Sequence, residues 1–372
     1  MKKLQRRDFL KNTSIAAAAA MGGTLIGCGV KSNEGPAIQD GKTYEWRMVT
    51  TWPPHFPILG EYAEELARWI EVMSGGRMKI QVYGGGELVP ALETFDAVSQ
   101  GVAEMGHSGA YYWAGKSPAA QFFSSIPFGM NTQQFNAWLY EGGGMELWNE
   151  LYSQFNLTVF PCGNTGGQMG GWFNKEINTI NDFKGLKMRM PGLGGKVITK
   201  AGATSILAPG GELYTDLERG VIDALEWVGP YHDYLMGFPQ IAKYYYYPGW
   251  HEPEATLELL INKSKFDELP DYLKKIIEVG CAAVNTRMLS AFETKNTEYY
   301  FKIKQENKVQ MRKFSDDLLS SLRNFTKEVI EETISSNPMS KKVYESASKF
   351  KKNIYEWNTI AERNYEPLPI LS

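Results

Sequence analysis

The chain has 372 residues, enough for two domains that share a sizeable buried core. Apolar residues make up 43% and charged residues 22% of the chain, a composition that excludes an intrinsically disordered protein. The formal net charge of -3 provides no basic excess, so we expect no nucleic-acid partner. Three cysteines are too few for a disulfide-stapled small fold or a structural zinc finger.

Residues 1–27 predict a signal peptide that is not part of the folded body. The pair Arg6-Arg7 precedes a short apolar run and resembles a twin-arginine export signal. The run ends at Cys28 in a segment that resembles a bacterial lipobox, which predicts lipidation of Cys28; a plain signal peptide cut elsewhere is the alternative. Residues 28–43 are polar and predict a tether, so we expect a lipid-anchored protein in the periplasm or at the cell surface.

Strand-like and helix-like segments alternate after the tether, which predicts the α/β class with parallel sheets. No later segment reaches ~18 uninterrupted apolar residues, the length that a membrane-spanning helix needs. Helices are predicted over 58–73 and for about ten residues from Pro90 to a cap at Gly101. Strands are predicted over 44–50, 78–83, 157–161, 186–190, 222–228, 244–247 and 256–262.

An internal echo relates residues 93–104 to residues 212–223. Both segments carry Glu, an aromatic, an aliphatic, Gly, Val and an acid in register. Each copy predicts a helix that ends at a glycine and leads into a strand. One explanation is that many unrelated α/β units share this pattern of helix, glycine and strand. The other is a duplicated lobe, in which case two open sheets face a shared ligand cleft at the carboxyl ends of their strands.

The last third of the chain predicts long helices over 266–305, either continuous or interrupted, and over 315–333 and 340–363. This is more helix than one core needs, so we expect these helices to pack across both lobes; a homodimer through them is the alternative. The predicted boundaries are 44–163 with 256–305 for lobe I, and 164–255 with 306–372 for lobe II and the C-terminal helices.

The expected catalytic motifs are incomplete. The glycines at 192–195 lack the further glycine of a dinucleotide fingerprint, since position 197 is Val197, and of a P-loop, since position 190 is Met190. His251 begins a segment without the second histidine of a zinc protease, and Pro253 breaks the required helix. An enzyme is therefore disfavoured.

Polar and aromatic side chains cluster instead where predicted strands end. Arg189 ends one strand, and its guanidinium fork suits bidentate capture of a carboxylate, although a surface arginine is the alternative. Glu226 lies between Leu225 and Trp227, where an unpaired buried carboxylate is costly. Trp227 is equally consistent with a core position. Further candidates in such segments are Asn164, Gln168, Trp172 and Glu252.

The segments 187–192, 217–223 and 226–230 resemble the signature segments of TRAP-transporter substrate-binding proteins, the DctP family. The resemblance covers nearly all of 44–335 and is closest to the branch that binds 2-oxo acids or lactate with a metal ion. It implies a two-lobed, periplasmic-binding-protein-like α/β fold with a cleft between the lobes and extra C-terminal helices. It also implies a small organic monocarboxylate as ligand and a membrane permease as partner.

The same resemblance assigns site residues. Arg189 captures the carboxylate, and the cation is held by Gln168, Glu226 with the Trp227 carbonyl, and Glu252. His107 aligns with Glu226 through the echo, but a structural histidine is an equal alternative. The implied ligand contacts are Arg189, Gln168, Tyr111, Tyr112, Asn164, Trp227 and Trp172.

The formal charges of these residues favour a divalent cation. Arg189 (+1), Glu226 (-1) and Glu252 (-1) sum to -1, and a monocarboxylate brings the sum to -2. Two like charges at ~4 Å repel by roughly 4 kcal/mol in an effective dielectric of about 20. Oxygen ligands favour Ca²⁺, with Na⁺ as the alternative. The alternatives for function are a receptor for a dicarboxylate or sugar acid, an exported enzyme, and a sensory lipoprotein.

Overall fold

The structure is a computed structural model that describes residues 41–364. The predicted signal peptide, Cys28 and nearly all of the predicted tether lie outside the described residues, as do residues 365–372 of the predicted lobe II. Within 41–364, the helices are all too short or too polar to cross a membrane.

The described part of the chain forms eleven strands and twelve α-helices. The strands are β1 (Tyr44–Thr50), β2 (Met78–Tyr83), β3 (Met105–Gly109), β4 (Leu157–Asn164), β5 (Gly171–Phe173), β6 (Lys187–Arg189), β7 (Thr204–Ile206), β8 (Ala224–Leu225), β9 (Tyr244–Tyr247), β10 (Thr256–Asn262) and β11 (Gln310–Lys313). The helices are α1 (Leu59–Met73), α2 (Thr94–Ser99), α3 (Thr132–Glu141), α4 (Gly144–Ser153), α5 (Gly192–Lys200), α6 (Leu213–Glu218), α7 (Pro230–Leu235), α8 (Phe238–Ile241), α9 (Lys263–Asp267), α10 (Asp271–Glu306), α11 (Asp316–Ser336) and α12 (Pro338–Ile360).

Two sheets organise these elements. The first has the order β2-β1-β3-β10-β4, and we call the part of the chain built on it lobe I. The second has the order β11-β9-β5-β8-β6-β7 and defines lobe II. Every residue of β10 is buried, because this strand lies between β3 and β4 with both faces covered.

The expectation of parallel sheets is wrong for two strands. β10 runs antiparallel to β3 and β4, and β5 runs antiparallel to β8 and β9. Both strands follow a direct passage from one sheet to the other, with no α-helix between β4 and β5 or between β9 and β10. A crossover helix returns the chain to the end of the sheet at which the preceding strand began, so that the next strand runs parallel to it. Without such a helix, the chain enters the other sheet from the opposite end and the strand runs antiparallel.

Both copies of the internal echo form a helix, a glycine and a strand. Gly101 (φ +78°) follows α2 before β3, and Gly220 (φ +72°) follows α6 before β8, as the left-handed backbone requires. Two other predicted elements differ clearly from the observed ones. The helix predicted from Pro90 is a 3-10 turn, Ala91–Glu93, followed by α2, and the strand predicted over 222–228 is only β8.

The C-terminal helices pack across both lobes. α10 contacts α1 and β4 of lobe I and α7 of lobe II. α11 packs on α5 of lobe II, whereas α12 packs on α3 and α4 of lobe I. The first predicted long helix is interrupted, because Pro270 ends the connection after α9 and precedes the first residue of α10. Cys162 and Cys281 are both buried free thiols.

A buried carboxyl group lies within the lobe I sheet. Glu258 of β10 is fully buried and accepts hydrogen bonds from Trp113 Nε1 (2.5 Å) and Tyr152 Oη (2.7 Å). Burial raises the pKa of Glu258 to about 7, although both donors favour the ionised form. The folded protein therefore holds a proton here that the unfolded chain releases near pH 4.5.

Because this pKa is raised on folding, stability should fall as the pH rises from about 4.5 to 7. Glu258→Gln mimics the protonated acid, since its amide can donate to Tyr152 Oη while its oxygen accepts from Trp113. We expect the free energy of unfolding of the variant, relative to wild type, to rise by roughly 3 kcal/mol over that range. Urea titrations of wild type and Glu258→Gln at pH 5 and 7.5 measure this difference, with the exposed Glu218→Gln as control. An equal change of the free energy of unfolding with pH in wild type and Glu258→Gln would contradict the prediction.

Candidate ligand and metal site

The site begins at the carboxyl ends of two neighbouring parallel strands. β6 ends at Arg189, which pairs in register with Leu225, the last residue of β8. Glu226 follows immediately, so both charged side chains leave the same edge of the lobe II sheet. Carboxyl edges of parallel strands are where open α/β sheets bind ligands.

Arg189 is buried, with 1% of its surface exposed, and every guanidinium nitrogen has an oxygen partner. Nη1 donates to Glu226 Oε1 (2.5 Å) and to the Glu226 carbonyl (2.8 Å). Nη2 donates to Tyr112 Oη (3.2 Å), and Nε donates to the Ala208 carbonyl (3.3 Å). Burial, the largest single effect, lowers the pKa of Arg189, but the surrounding acidic groups, Glu226 first among them, together raise it above its ordinary value. These partners offset the desolvation cost of a buried guanidinium.

A buried acidic cluster adjoins the arginine. Glu226, His251 and Glu252 each offer a ligand atom, and these atoms all lie within 4.8 Å of one another. His251 Nε2 lies 3.2 Å from Glu226 Oε2. Gln168 Nε2 donates to Glu252 Oε2 (2.8 Å). Burial, followed by repulsion from Glu226, raises the pKa of Glu252 well above its ordinary value.

Two unsatisfied polar atoms point to a ligand and a cation in this cluster. Gln168 Oε1 and Trp227 Nε1 are buried and have no hydrogen-bond partner among the described residues. An amide oxygen beside two carboxylates matches the oxygen ligands of a hard cation. An unpaired buried indole N–H is costly unless it meets an acceptor. The residues therefore fit a metal ion bound beside an anion.

Aromatic rings enclose the charged groups from both lobes. The Arg189 guanidinium lies 5.1 Å from the centre of the Trp227 ring, and Trp52 of lobe I meets Trp227 edge-on at 6.4 Å. Tyr111 and Tyr112 lie in the turn directly after β3, with ring centres 4.6 Å apart. Aromatic walls of this kind exclude water and strengthen the electrostatic interactions inside.

The lobes approach closely at Gly192. A Cβ at this position would lie 3.0 Å from Tyr111 Cβ, and the backbone has φ +60°. Both features favour glycine, the residue at the start of α5. Tyr111 is thereby held against lobe II beside the acidic cluster.

Three sequence candidates have partners within the scaffold. Trp172 stacks on Tyr245 with ring centres 3.9 Å apart, and its Nε1 donates to Asp233 (2.9 Å). Asn164 donates to Glu254 Oε2 (2.7 Å) and lies among the buried polar groups where β4 ends. Their roles as direct ligand contacts stay predictions.

His107 is the third, and it occupies the lobe I core. It is fully buried, its Nδ1 accepts a hydrogen bond from Trp52 Nε1 (2.7 Å), and its Nε2 lies 2.7 Å from the Cys162 carbonyl. With Nδ1 as acceptor, Nε2 carries the proton and donates it to the carbonyl. This arrangement agrees with the structural alternative for His107 and fixes the Trp52 ring beside Trp227.

Sequence reasoning missed Trp52 and His251 as members of the site. Trp52 follows the carboxyl end of β1, so the rule that relates strand ends to ligand clefts was a usable signal. In the sequence, His251 stands out only as the start of an incomplete zinc motif. Its contact with Glu226 joins residues 25 positions apart, and no local spacing indicates such a contact.

Comparison with known proteins agrees with this architecture. The family of bacterial extracellular solute-binding proteins, family 7 (DctP), matches residues 48–337. The monocarboxylate 2-oxoacid-binding periplasmic protein of Nostoc sp. is 40% identical over 365 residues, 98% of either chain.

Two solved structures of TRAP periplasmic solute-binding proteins are also similar. The protein from Pseudoalteromonas atlantica, with bound sodium and pyruvate, has a TM-score of 0.86 and 41% identity over 88% of this chain and 100% of its own. The protein from Colwellia psychrerythraea, with bound calcium and pyruvate, has a TM-score of 0.85 and 42% identity over 87% of this chain and 99% of its own.

These matches confirm the predicted two-lobed α/β fold and the predicted binding function in place of catalysis. The family works outside the cytoplasm, as its description states. Because the family match spans most of the chain, this protein belongs to family 7 of the bacterial extracellular solute-binding proteins, the DctP family.

Proposed function

We propose that this protein is the receptor of a TRAP transporter and binds a small monocarboxylate together with a metal ion. The ligand class is a 2-oxo acid such as pyruvate, or a 2-hydroxy acid such as lactate. The observation that carries the proposal is the buried Arg189 beside a carboxylate cluster that includes an unsatisfied amide oxygen, Gln168 Oε1. The similar proteins that hold pyruvate hold it with sodium or calcium.

Each site residue then has a definite role. Arg189 supplies the two parallel donors that a carboxylate accepts, Nη2 directly and Nη1 once Glu226 Oε1 turns from it to the cation. Glu226, Glu252 and Gln168 hold the cation, with the Trp227 carbonyl as a further oxygen ligand. The cation supplies positive charge that offsets the two carboxylates and the anionic ligand. Ca²⁺ is favoured over Na⁺, because only a divalent ion brings the formal charge of the loaded site to zero.

Recognition of the rest of the ligand falls to the enclosing side chains. Trp227 Nε1 and Tyr112 Oη are buried polar atoms that can hydrogen-bond a 2-oxo or 2-hydroxy oxygen. A site built around such donors rejects acids without that oxygen. Asn164 and Trp172 are further proposed ligand contacts. One buried arginine beside two carboxylates disfavours dicarboxylates.

Lobe closure completes the site, because groups of both lobes surround it. Tyr112 of lobe I contacts Arg189 of lobe II, and His232 Nε2 of lobe II lies 2.8 Å from the Pro57 carbonyl of lobe I. The ligand favours the closed form only by the contacts that both lobes make to it. The closed, loaded receptor then delivers the anion to the membrane permease.

Calorimetric titration of pyruvate, lactate, succinate and gluconate into chelated protein, with and without added Ca²⁺, tests this function. We expect pyruvate or lactate to bind, and to bind at least tenfold more tightly with Ca²⁺. Binding of succinate or gluconate alone would assign a different ligand class. Binding that is unchanged by chelation in sodium-free buffer would remove the metal from the proposal.

We further propose export by the twin-arginine route and lipid anchoring at Cys28. Cys28→Ala should release the protein from the membrane fraction into the soluble periplasmic fraction, since lipidation needs the thiol. Cell fractionation with immunoblotting measures the distribution, and Cys162→Ala is the control for loss of a thiol elsewhere. Equal membrane association of both variants would contradict the anchor.

A homodimer through the C-terminal helices belongs to the same proposal. Trp357 and Ile360 at the end of α12 are 60% and 70% exposed, so an apolar surface is available there. Sedimentation of the purified protein determines whether two copies associate.

A further inference from the structure

A concave surface away from the candidate site lies between the segment 126–130 and the helices α11 and α12. It consists of two adjoining crevices of about 210 and 570 Å³. Phe128, Arg323, Ser348 and Lys351 line both crevices. We call this surface the basic groove.

The charges of the basic groove have one sign. Its lining includes Arg323, Lys327, Lys351, Lys352 and Arg363, and no Asp or Glu of the described part of the chain lines either crevice. None of the five forms an ion pair with a carboxylate of residues 41–364. Lys351 donates to the Phe128 carbonyl (2.5 Å), and Arg363 donates to Tyr355 Oη (2.6 Å). In a chain of net charge -3, this local excess of positive charge favours an anionic partner.

The pKa of the lysine in the middle of the groove reflects both its burial and the neighbouring positive charge. Burial, followed by repulsion from Arg323, lowers the pKa of Lys351. The floor beneath it is apolar, since Ile126, Phe128 and Ile330 line the smaller crevice. A flat membrane surface or a small inorganic anion would leave this apolar floor uncovered. A peptide segment with acidic and apolar side chains matches both features.

The basic groove also contacts the chain segment that carries a candidate metal ligand. Phe128 N–H donates to the Trp250 carbonyl (2.8 Å), and the two rings stack with centres 5.7 Å apart. Trp250 precedes His251 and Glu252 of the acidic cluster. A partner that contacts Phe128 in the groove is therefore separated only by Trp250 from the segment that carries the proposed metal ligand.

We propose that the basic groove binds an acidic segment of a partner protein, with an apolar side chain of that segment on Ile126 and Phe128. The identification of the partner as the membrane permease rests on the proposed function; the groove itself does not. The stacking of Phe128 on Trp250 places this surface beside the segment that carries His251 and Glu252.

Fluorescence anisotropy with a labelled eight-residue peptide of six glutamates and two leucines tests the groove. The full-length protein should bind this peptide, and binding should weaken in 0.5 M salt. The double variant Arg323→Gln/Lys352→Gln should bind it at least about fivefold more weakly. The control Lys341→Gln/Lys349→Gln removes two exposed charges from α12 that line neither crevice, and should bind as wild type does.

Equal peptide binding by the two double variants would overturn the proposal. So would binding of phosphatidylglycerol vesicles or inorganic phosphate that depends on Arg323 and Lys352 when the peptide does not bind. Uptake in cells tests the partner separately: the groove variant should bind pyruvate normally but support at least threefold slower uptake. Normal uptake by the groove variant would rule out the permease as the partner. Failure of pyruvate binding by wild type would overturn the proposed function without affecting the proposal for the groove.

Discussion

Replacing Arg189 should abolish tight ligand binding, because this residue provides the only guanidinium in the described site. Arg189→Gln removes the charge and the fork, and we expect the affinity for pyruvate to fall at least a hundredfold, about 2.7 kcal/mol. Arg189→Lys keeps the charge but not the two parallel donors, and should lose at least tenfold, about 1.4 kcal/mol. Titration calorimetry at saturating Ca²⁺ measures both values.

The arginine also has a structural role that the experiment must separate. Its loss leaves Glu226 buried without its cation partner, and breaking a buried ion pair typically costs about 3–5 kcal/mol of stability. Thermal unfolding without ligand shows whether each variant is folded, and the exposed Arg219→Gln in lobe II is the matched control. A folded Arg189→Lys that binds pyruvate as tightly as wild type would contradict the assigned role.

Replacing one carboxylate of the acidic cluster should abolish the increase in pyruvate affinity that Ca²⁺ provides. In Glu252→Gln the shape and the contact with Gln168 can persist, but an anionic ligand of the metal is lost. We expect the pyruvate affinity with Ca²⁺ to fall at least tenfold, about 1.4 kcal/mol, to the value that the chelated wild-type protein shows. Calorimetric titrations of wild type and variant, each with Ca²⁺ and with chelator, provide the four values needed.

Glu254 offers a matched control two residues away. It is equally buried, but its Oε2 accepts hydrogen bonds from Asn164 and Thr256 and does not belong to the acidic cluster. Burial raises the pKa of Glu254 to about 8, so Gln resembles its neutral form. Glu254→Gln should retain the Ca²⁺ effect. Loss of the effect in both variants would assign it to general disruption of the 250–256 segment.

Much of the fold follows from local pattern. The strands β1, β2, β9 and β10 have the predicted bounds, because alternating or continuous apolar residues between turn signals specify a strand wherever a core is available. The direction of β5 and β10 does not follow from such patterns. It depends on the two passages between the sheets, which only the tertiary topology defines.

The candidate site likewise has residues that local sequence pattern predicts and contacts that only the tertiary structure defines. Arg189 ends β6, Glu226 directly follows β8, and Glu252 lies in the loop after β9, so local sequence pattern is enough to place them near a ligand edge. Trp172, predicted to lie after a strand, is instead the middle residue of β5, and its ring stacks on Tyr245 in lobe II. The rule identifies the edge but not which way a side chain points from it. The contact of Tyr112 with Arg189 spans 77 residues and depends on how the lobes meet.

A crystal structure of the protein with pyruvate and Ca²⁺ tests the central claim most directly. We expect the pyruvate carboxylate to accept hydrogen bonds from Arg189 while the calcium ion contacts oxygens of Gln168, Glu226 and Glu252. Pyruvate bound elsewhere, or calcium absent from this cluster at saturating concentration, would show that the guanidinium and the cation do not hold the anion together.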